Sequence, residues 1–134
     1  MSGPGATIFV CVSCRRQRND LAEGFDRPGV ELAAALKARV AEAGASGIIV
    51  EAVDCLAVCK RPCTLALAGR DKWTYLVGDL DSVEHVNEIV AAAEAYARSD
   101  NGIVPWKERP QAFRKGVVAR VPPLGFAQPL TETT

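Results

Sequence analysis

The sequence predicts an α/β sandwich: a sheet whose first two strands run parallel through a crossover helix and whose later strands form a hairpin, covered by two amphipathic helices. Three observations carry this. Short β-branched and aromatic runs alternate with segments of helical period. The first two strand-like runs are separated by a full helix, the next two by a three-residue turn. The chain has 134 residues, 49% of them hydrophobic, which suits one core and one domain. Charge excludes some functions. Sixteen basic and sixteen acidic residues cancel, so bulk charge gives no pull toward nucleic acid or a membrane surface. No apolar run approaches the roughly 18 residues a spanning helix needs.

Taken in order, Thr7-Ile8-Phe9-Val10 is a strand running into Cys11. Arg15, Arg16 and Arg18 follow, then a polar, Gly- and Pro-marked loop to Gly29. A helix from about Val30 to Ala43 has Leu32, Ala33, Leu36 and Val40 on its apolar stripe and Gly44 as its stop. The run 47–53 (Gly-Ile-Ile-Val-Glu-Ala-Val) is apolar enough to be a buried central strand. Thr64–Ala68 and Lys72–Val77 are an antiparallel pair joined through Gly69-Arg70-Asp71. A second helix runs from Ser82 to Arg98, with Asp81 as N-cap, Glu84 in capping-box position, and Val83, Val86, Val90, Ala93 and Ala97 as its buried stripe. Asn101-Gly102 ends it. The order β-α-β-β-β-α is that of a thioredoxin-like sandwich. It divides the chain into a cysteine-bearing domain, 1–102, and a Pro- and Arg-rich C-terminal arm, 103–134, irregular and packed on the domain or on a partner.

All five cysteines fall in two knots: Cys11-Val12-Ser13-Cys14, and Cys55, Cys59 and Cys63 within nine residues. Each knot follows a strand. With parallel strands both knots reach the carboxyl ends of neighbouring strands, where open α/β sheets place ligand sites. The N-terminus has neither a basic region nor a long apolar core, so it is not a secretory signal, and the compartment reads as reducing cytoplasm. Clustered cysteines there serve metals or redox chemistry more often than disulfides. Thiolates in a tetrahedral set suit zinc or an iron–sulfur cluster. A domain with its own sheet and helices needs no zinc staple, which favours a 2Fe–2S cluster held by Cys11, Cys14, Cys55 and Cys59, with Cys63 as a neighbouring thiol or alternative ligand. Arg15, Arg16, Arg18, Lys60 and Arg61 stand close in sequence, equally suited to raising a cluster's potential or to forming an ordinary solvated face. A zinc or cobalt structural or trafficking module is the alternative. A third reading is thiol–disulfide exchange by Cys11 and Cys14, although Cys-Val-Ser-Cys followed by arginines lacks that chemistry's usual aromatic and proline neighbours.

The Cys55-Leu56-Ala57-Val58-Cys59 segment resembles the second cysteine pair of thioredoxin-like 2Fe–2S ferredoxins, with Cys63 where a proline often stands. The tighter Cys11–Cys14 spacing departs from that group. A closer resemblance rests on Cys11–Arg15, Cys55–Leu67, Lys72–Leu80, Gly102–Pro110 and Ala112–Pro123. Through these the chain is similar to small bacterial proteins of unknown function described as predicted metal-binding proteins and met beside cobalamin-synthesis and cobalt-handling genes. The resemblance implies metal or cluster binding and a link to cobalamin metabolism.

His85, the single histidine, falls off the stripe of its helix and reads as a surface residue. Trp73 and Tyr75 suit packing on a strand face better than cofactor stacking. Trp106 suits either a homodimer interface or its own domain. No Ser/His/Asp set, Gly-rich phosphate loop or carboxylate pair stands out. The sequence thus predicts an electron carrier with a redox or metal-handling protein partner, in which no bond-making catalysis is required.

Overall fold

The chain is described by a computed structural model, which covers residues 5–45, 47–58 and 61–127. The elements follow the order β1 (Ala6–Cys11), β2 (Arg16–Gln17), β3 (Phe25–Asp26), α1 (Pro28–Ala43), β4 (Ile48–Val53), β5 (Leu65–Ala68), β6 (Thr74–Val77), α2 (Val86–Arg98), a 3-10 turn (Trp106–Glu108), α3 (Ala112–Lys115) and β7 (Val117–Val121). The main sheet has the order β4-β1-β5-β6-β7. β1 and β4 are parallel, and the remaining pairs are antiparallel. α1 and α2 pack against each other and against β1 and β4. Ile8, Val10, Leu32, Leu36, Leu65, Leu67, Ile89 and Tyr96 fill the layer between. The β-α-β-β-β-α order is therefore present, with a short ribbon inserted between β1 and α1 and further elements after α2.

α1 starts at Pro28, two residues ahead of the expectation, because proline at a helix's first position loses no intrahelical bond. Leu32, Ala33 and Leu36 are buried as expected, and Gly44 ends the helix in the left-handed conformation at φ 65°. The expected loop before α1 contains a two-residue ribbon, β2 with β3.

Three expectations change. The strand at 48–53 is an edge strand rather than a central one. Ile48 and Val50 face the core, whereas Ile49, Glu51 and Ala52 are exposed. Its apolar outward residues hid the period-two alternation. The second helix starts at Val86 rather than Ser82. The Asp81 carboxylate does accept N–H bonds from Val83 (2.8 Å) and Glu84 (2.7 Å). His85 Nδ1, however, accepts the Asp81 N–H at 2.9 Å, closing a separate turn that leaves Val83 81% exposed instead of on the buried stripe. Third, the arm supplies β7, which pairs with β6 through a bulge at Leu76/Val77. The arm is sealed to the domain by the buried Tyr75 hydroxyl, which accepts the Val104 N–H at 3.0 Å, by Arg109 Nε donating to the Val104 carbonyl at 2.8 Å, and by buried Phe113.

Candidate thiolate site

The site is built by strand register. Cys11, the last residue of β1, stands opposite Val53, the last of β4. Beyond that pair Val12 N–H donates to the Val53 carbonyl at 3.0 Å, and Cys11 N–H donates to the Thr64 carbonyl at 3.0 Å. The first cysteine knot, the Asp54–Val58 turn and the Cys63–Thr64 segment thus meet at one end of the sheet. α1 closes in from behind: a Cβ on Gly29 would lie 1.8 Å from the Cys11 carbonyl oxygen, so only glycine permits this approach.

Cys11 and Cys14 are both buried, with sulfurs 3.0 Å apart. That separation lies between the roughly 2.05 Å of a disulfide and the roughly 3.8 Å spanned by two sulfurs on one tetrahedral ion with metal–sulfur bonds of about 2.3 Å. Cys11 Sγ is also 3.8 Å from the Asp54 carbonyl and 3.9 Å from Ser13 Oγ. The Ser13 hydroxyl donates to the Asp54 carbonyl and ties the two knots together. Burial acts to raise the Cys11 pKa, but the hydrogen bond from Cys14 and the backbone N–H groups of Leu56, Ser13 and Cys14 act against it. The thiol is held below its ordinary value. These same donors would stabilise a thiolate, free or metal-bound; among the described residues no three cysteine, histidine or carboxylate side chains stand together as a metal-binding group.

Cys55 is exposed, two residues past β4. Ala57, at φ 60°, turns the chain so that its N–H donates to Cys55 Sγ at 3.2 Å. Cys59, the fourth expected ligand, lies outside the described residues, as does Lys60. Cys63 is fully buried within the apolar core, and desolvation pushes its pKa up to about 12 against the opposing positive charge of Arg16. Its carbonyl accepts the Leu80 N–H at 3.1 Å.

The cations near the knots are engaged locally. Arg16 pairs with both Asp26 oxygens, at 2.7 and 3.2 Å. Arg18 contacts Asp20 at 2.5 Å and Asp26 at 3.1 Å, and Arg61 Nε contacts Asp79 at 2.8 Å. The Arg15 guanidinium lies 4.4 Å from the centroid of the Phe25 ring. Asp26 is thus the carboxylate that organises this loop. Nothing in the sequence singles it out, because its partners lie eight and ten residues away across a ribbon. Ser13 was missed for a different reason: a serine inside a cysteine knot has no distinguishing spacing.

His85 is half-buried and lines a cavity of about 270 Å³ with Asp79, Glu88 and Lys115. Trp73 precedes β6 rather than sharing its face, and packs edge-on against Phe126 at 5.2 Å. Tyr75 packs edge-on against Tyr96. Both aromatics are occupied in packing, as expected.

A family model described as "Protein of unknown function (DUF1636)" matches residues 8–123. No functionally curated protein matches the sequence. Among solved structures, a thioredoxin-like [2Fe-2S] ferredoxin from Aquifex aeolicus superposes with a TM-score of 0.59 at 15% identity, covering 94% of this chain and 100% of that one. A wild-type structure of the Aquifex aeolicus ferredoxin gives 0.55 at 16%, covering 88% and 99%. A cysteine-to-serine variant of it gives 0.54 at 17%, covering 85% and 98%. At these identities the likeness establishes the thioredoxin-like ferredoxin fold.

Proposed function

Because the chain belongs to the DUF1636 family, whose description names no activity, its function has to be read from its own residues, and we propose that it is a thioredoxin-like ferredoxin. Cys11, Cys14, Cys55 and Cys59 would hold one 2Fe–2S cluster, which supplies one-electron transfer when bound. One observation carries the reading: the paired thiols of Cys11 and Cys14 at the end of β1, 3.0 Å apart, with the turn that bears Cys55 tied to them by the Ser13 hydroxyl on the Asp54 carbonyl. The likeness to a 2Fe–2S ferredoxin fold supports it. The chain's own residues bury one side of the site, direct amide hydrogens at sulfur, and leave Cys55 at the surface, where an electron can leave toward a partner. The partner we propose is a cytoplasmic redox or metal-handling protein. The family resemblance alone suggests corrinoid reduction or cobalt handling.

Anaerobic purification, a visible spectrum, and iron, sulfide, zinc and cobalt counted on one sample test this. A red-brown protein with about two irons and two sulfides per chain supports the reading. A colourless protein with about one zinc or cobalt and no iron, even after reconstitution, replaces it with a structural or trafficking metal site. Cys11→Ser and Cys55→Ser should each abolish the cluster, and full retention in either removes that residue from the ligand set. The 3.0 Å pair also supports a second reading, dithiol–disulfide exchange with Cys14 as hydrogen-bond donor to Cys11. Turnover of a disulfide substrate by metal-free protein, lost in Cys14→Ser, would favour it.

A further inference from the structure

The C-terminal arm carries a charge pattern that the thiolate site does not use. Residues 105–127 hold Lys107, Arg109, Arg114, Lys115 and Arg120 against one carboxylate, Glu108, while the whole chain balances sixteen against sixteen. The arm is thus strongly basic and the rest of the chain net acidic. Among the described residues the ion pairs are Arg16–Asp26, Arg18–Asp20, Arg18–Asp26 and Arg61–Asp79. None involves the arm.

Two of these cations are fixed in place. Arg114 Nε and Nη2 donate to the carbonyls of Trp106 (3.1 Å) and Lys107 (3.2 Å). Arg109 donates to the Val104 carbonyl and lies 5.2 Å from the Tyr75 ring centroid. Both guanidiniums also lie over Trp106, at 5.5 and 5.9 Å, and that side chain is 59% exposed. A guanidinium has five N–H donors, and these partners use only some of them. Cations already held in position lose little freedom when they meet a carboxylate.

The arm runs back toward the functional end of the sheet: it leaves the opposite end, where the Asn101 carbonyl accepts the Trp73 N–H just before β6, and its α3 reaches the thiol end. Val10 pairs with Leu65, Leu65 with Val77, and Val77 with Val117. α3, just before β7, is therefore at the same end as Cys11, three strand spacings away, or roughly 14 Å.

We propose that the Trp106–Lys115 segment of the arm is the docking surface for a protein partner with clustered surface carboxylates, with its α3 part beside the end of the sheet that carries the thiols. That the partner exchanges electrons rests on the ferredoxin reading; the docking itself does not. Electrostatic complementarity sets orientation and association rate, and an exposed tryptophan flanked by arginines is a common interface anchor. A nucleic acid fits less well. Base stacking needs a free aromatic face, and guanidiniums already lie over this one.

The test measures binding of a fluorescently labelled poly-glutamate peptide to the purified full-length protein by anisotropy, so it reads docking whether or not a cluster is bound. The expected result is saturable binding that weakens as salt rises from about 50 to 300 mM. Arg114→Glu and Lys115→Glu should each weaken it about tenfold. Lys37→Glu, which makes the same charge change on the exposed face of α1, should leave it unchanged. Lys115→Glu removes no hydrogen bond of the fold, so its result stands even where Arg114→Glu disturbs folding. Equal weakening by Lys37→Glu, or undiminished binding by both arm variants, overturns the proposal. Tighter binding of labelled oligo-dT with quenched tryptophan emission would assign the face to nucleic acid. A dimer in sedimentation that Lys115→Glu dissociates would assign it to a second copy of the chain.

Discussion

Gly29 is where a single methyl group probes the site most directly. It lies in the first turn of α1, against the end of β1. A Cβ there would stand 1.8 Å from the Cys11 carbonyl oxygen, 2.8 Å from its carbon and 3.2 Å from Val12 Cα. Ordinary contact begins near 3.4 Å, so helix and strand must separate by about 1.6 Å. All three obstacles are backbone, and no rotamer change relieves them. Overpacking costs about 1–3 kcal/mol when side chains can adjust, and occasionally more. With only backbone to move, Gly29→Ala should cost about 3 kcal/mol, roughly a 10 °C fall in Tm for a chain of this length. The displaced strand end carries Cys11, so under the proposed cluster reading the metal bound per chain should fall as well. Gly44→Ala is the control. Gly44 has a positive φ but nothing within 4 Å, so the loss should be about 1 kcal/mol with metal content intact. Guanidinium unfolding and metal analysis on the same samples decide the matter. A Gly29→Ala protein with the wild-type midpoint and full metal content would refute the claim that this approach holds the site together.

Further outcomes follow from the same geometry. Tyr75→Phe removes the acceptor of the Val104 N–H and should cost about 1–3 kcal/mol in urea unfolding; an unchanged midpoint would show that the arm is held by other contacts. In metal-free protein at pH 8, iodoacetamide should modify exposed Cys55 quickly and Cys63 only on unfolding, because burial keeps that thiol protonated. Peptide mapping that finds Cys63 modified first would contradict this. Asp26 is held below the ordinary carboxylate range, first by the hydrogen bond from Arg16. Its pairing therefore contributes stability above that range and loses it as pH falls through the lowered value. Asp26→Asn should lose stability at neutral pH and show a shallower decline in acid, while parallel pH–stability curves would exclude the pairing as a source of acid sensitivity.

The sequence by itself determined the composition of the main layers. The apolar stripe of Leu32 and Leu36, the hairpin through Gly69-Arg70-Asp71 and the stop at Gly44 all rest on local periodicity and backbone preference, which short windows contain. It also placed Cys11 at the end of its strand and Cys55 just past the next, because each knot directly follows a β-branched run. Only the tertiary structure decided what depends on neighbours distant in the chain. Edge or central placement of β4 depends on which strands pair, and its apolar outer residues concealed the answer. The Val117–Val121 run alternates weakly, and it becomes a strand because β6 offers it a free edge. Val83 leaves the buried stripe because a histidine nitrogen four residues from Asp81 closes a turn first. Arg16 and Arg18 are paired by Asp26, ten and eight residues away, and the contrast between Cys11, held against Cys14, and Cys63, sunk in the core, follows from strand register and desolvation. Hydrogen-bond partners and dielectric surroundings are properties of folded space, and no spacing along the chain encodes them alone.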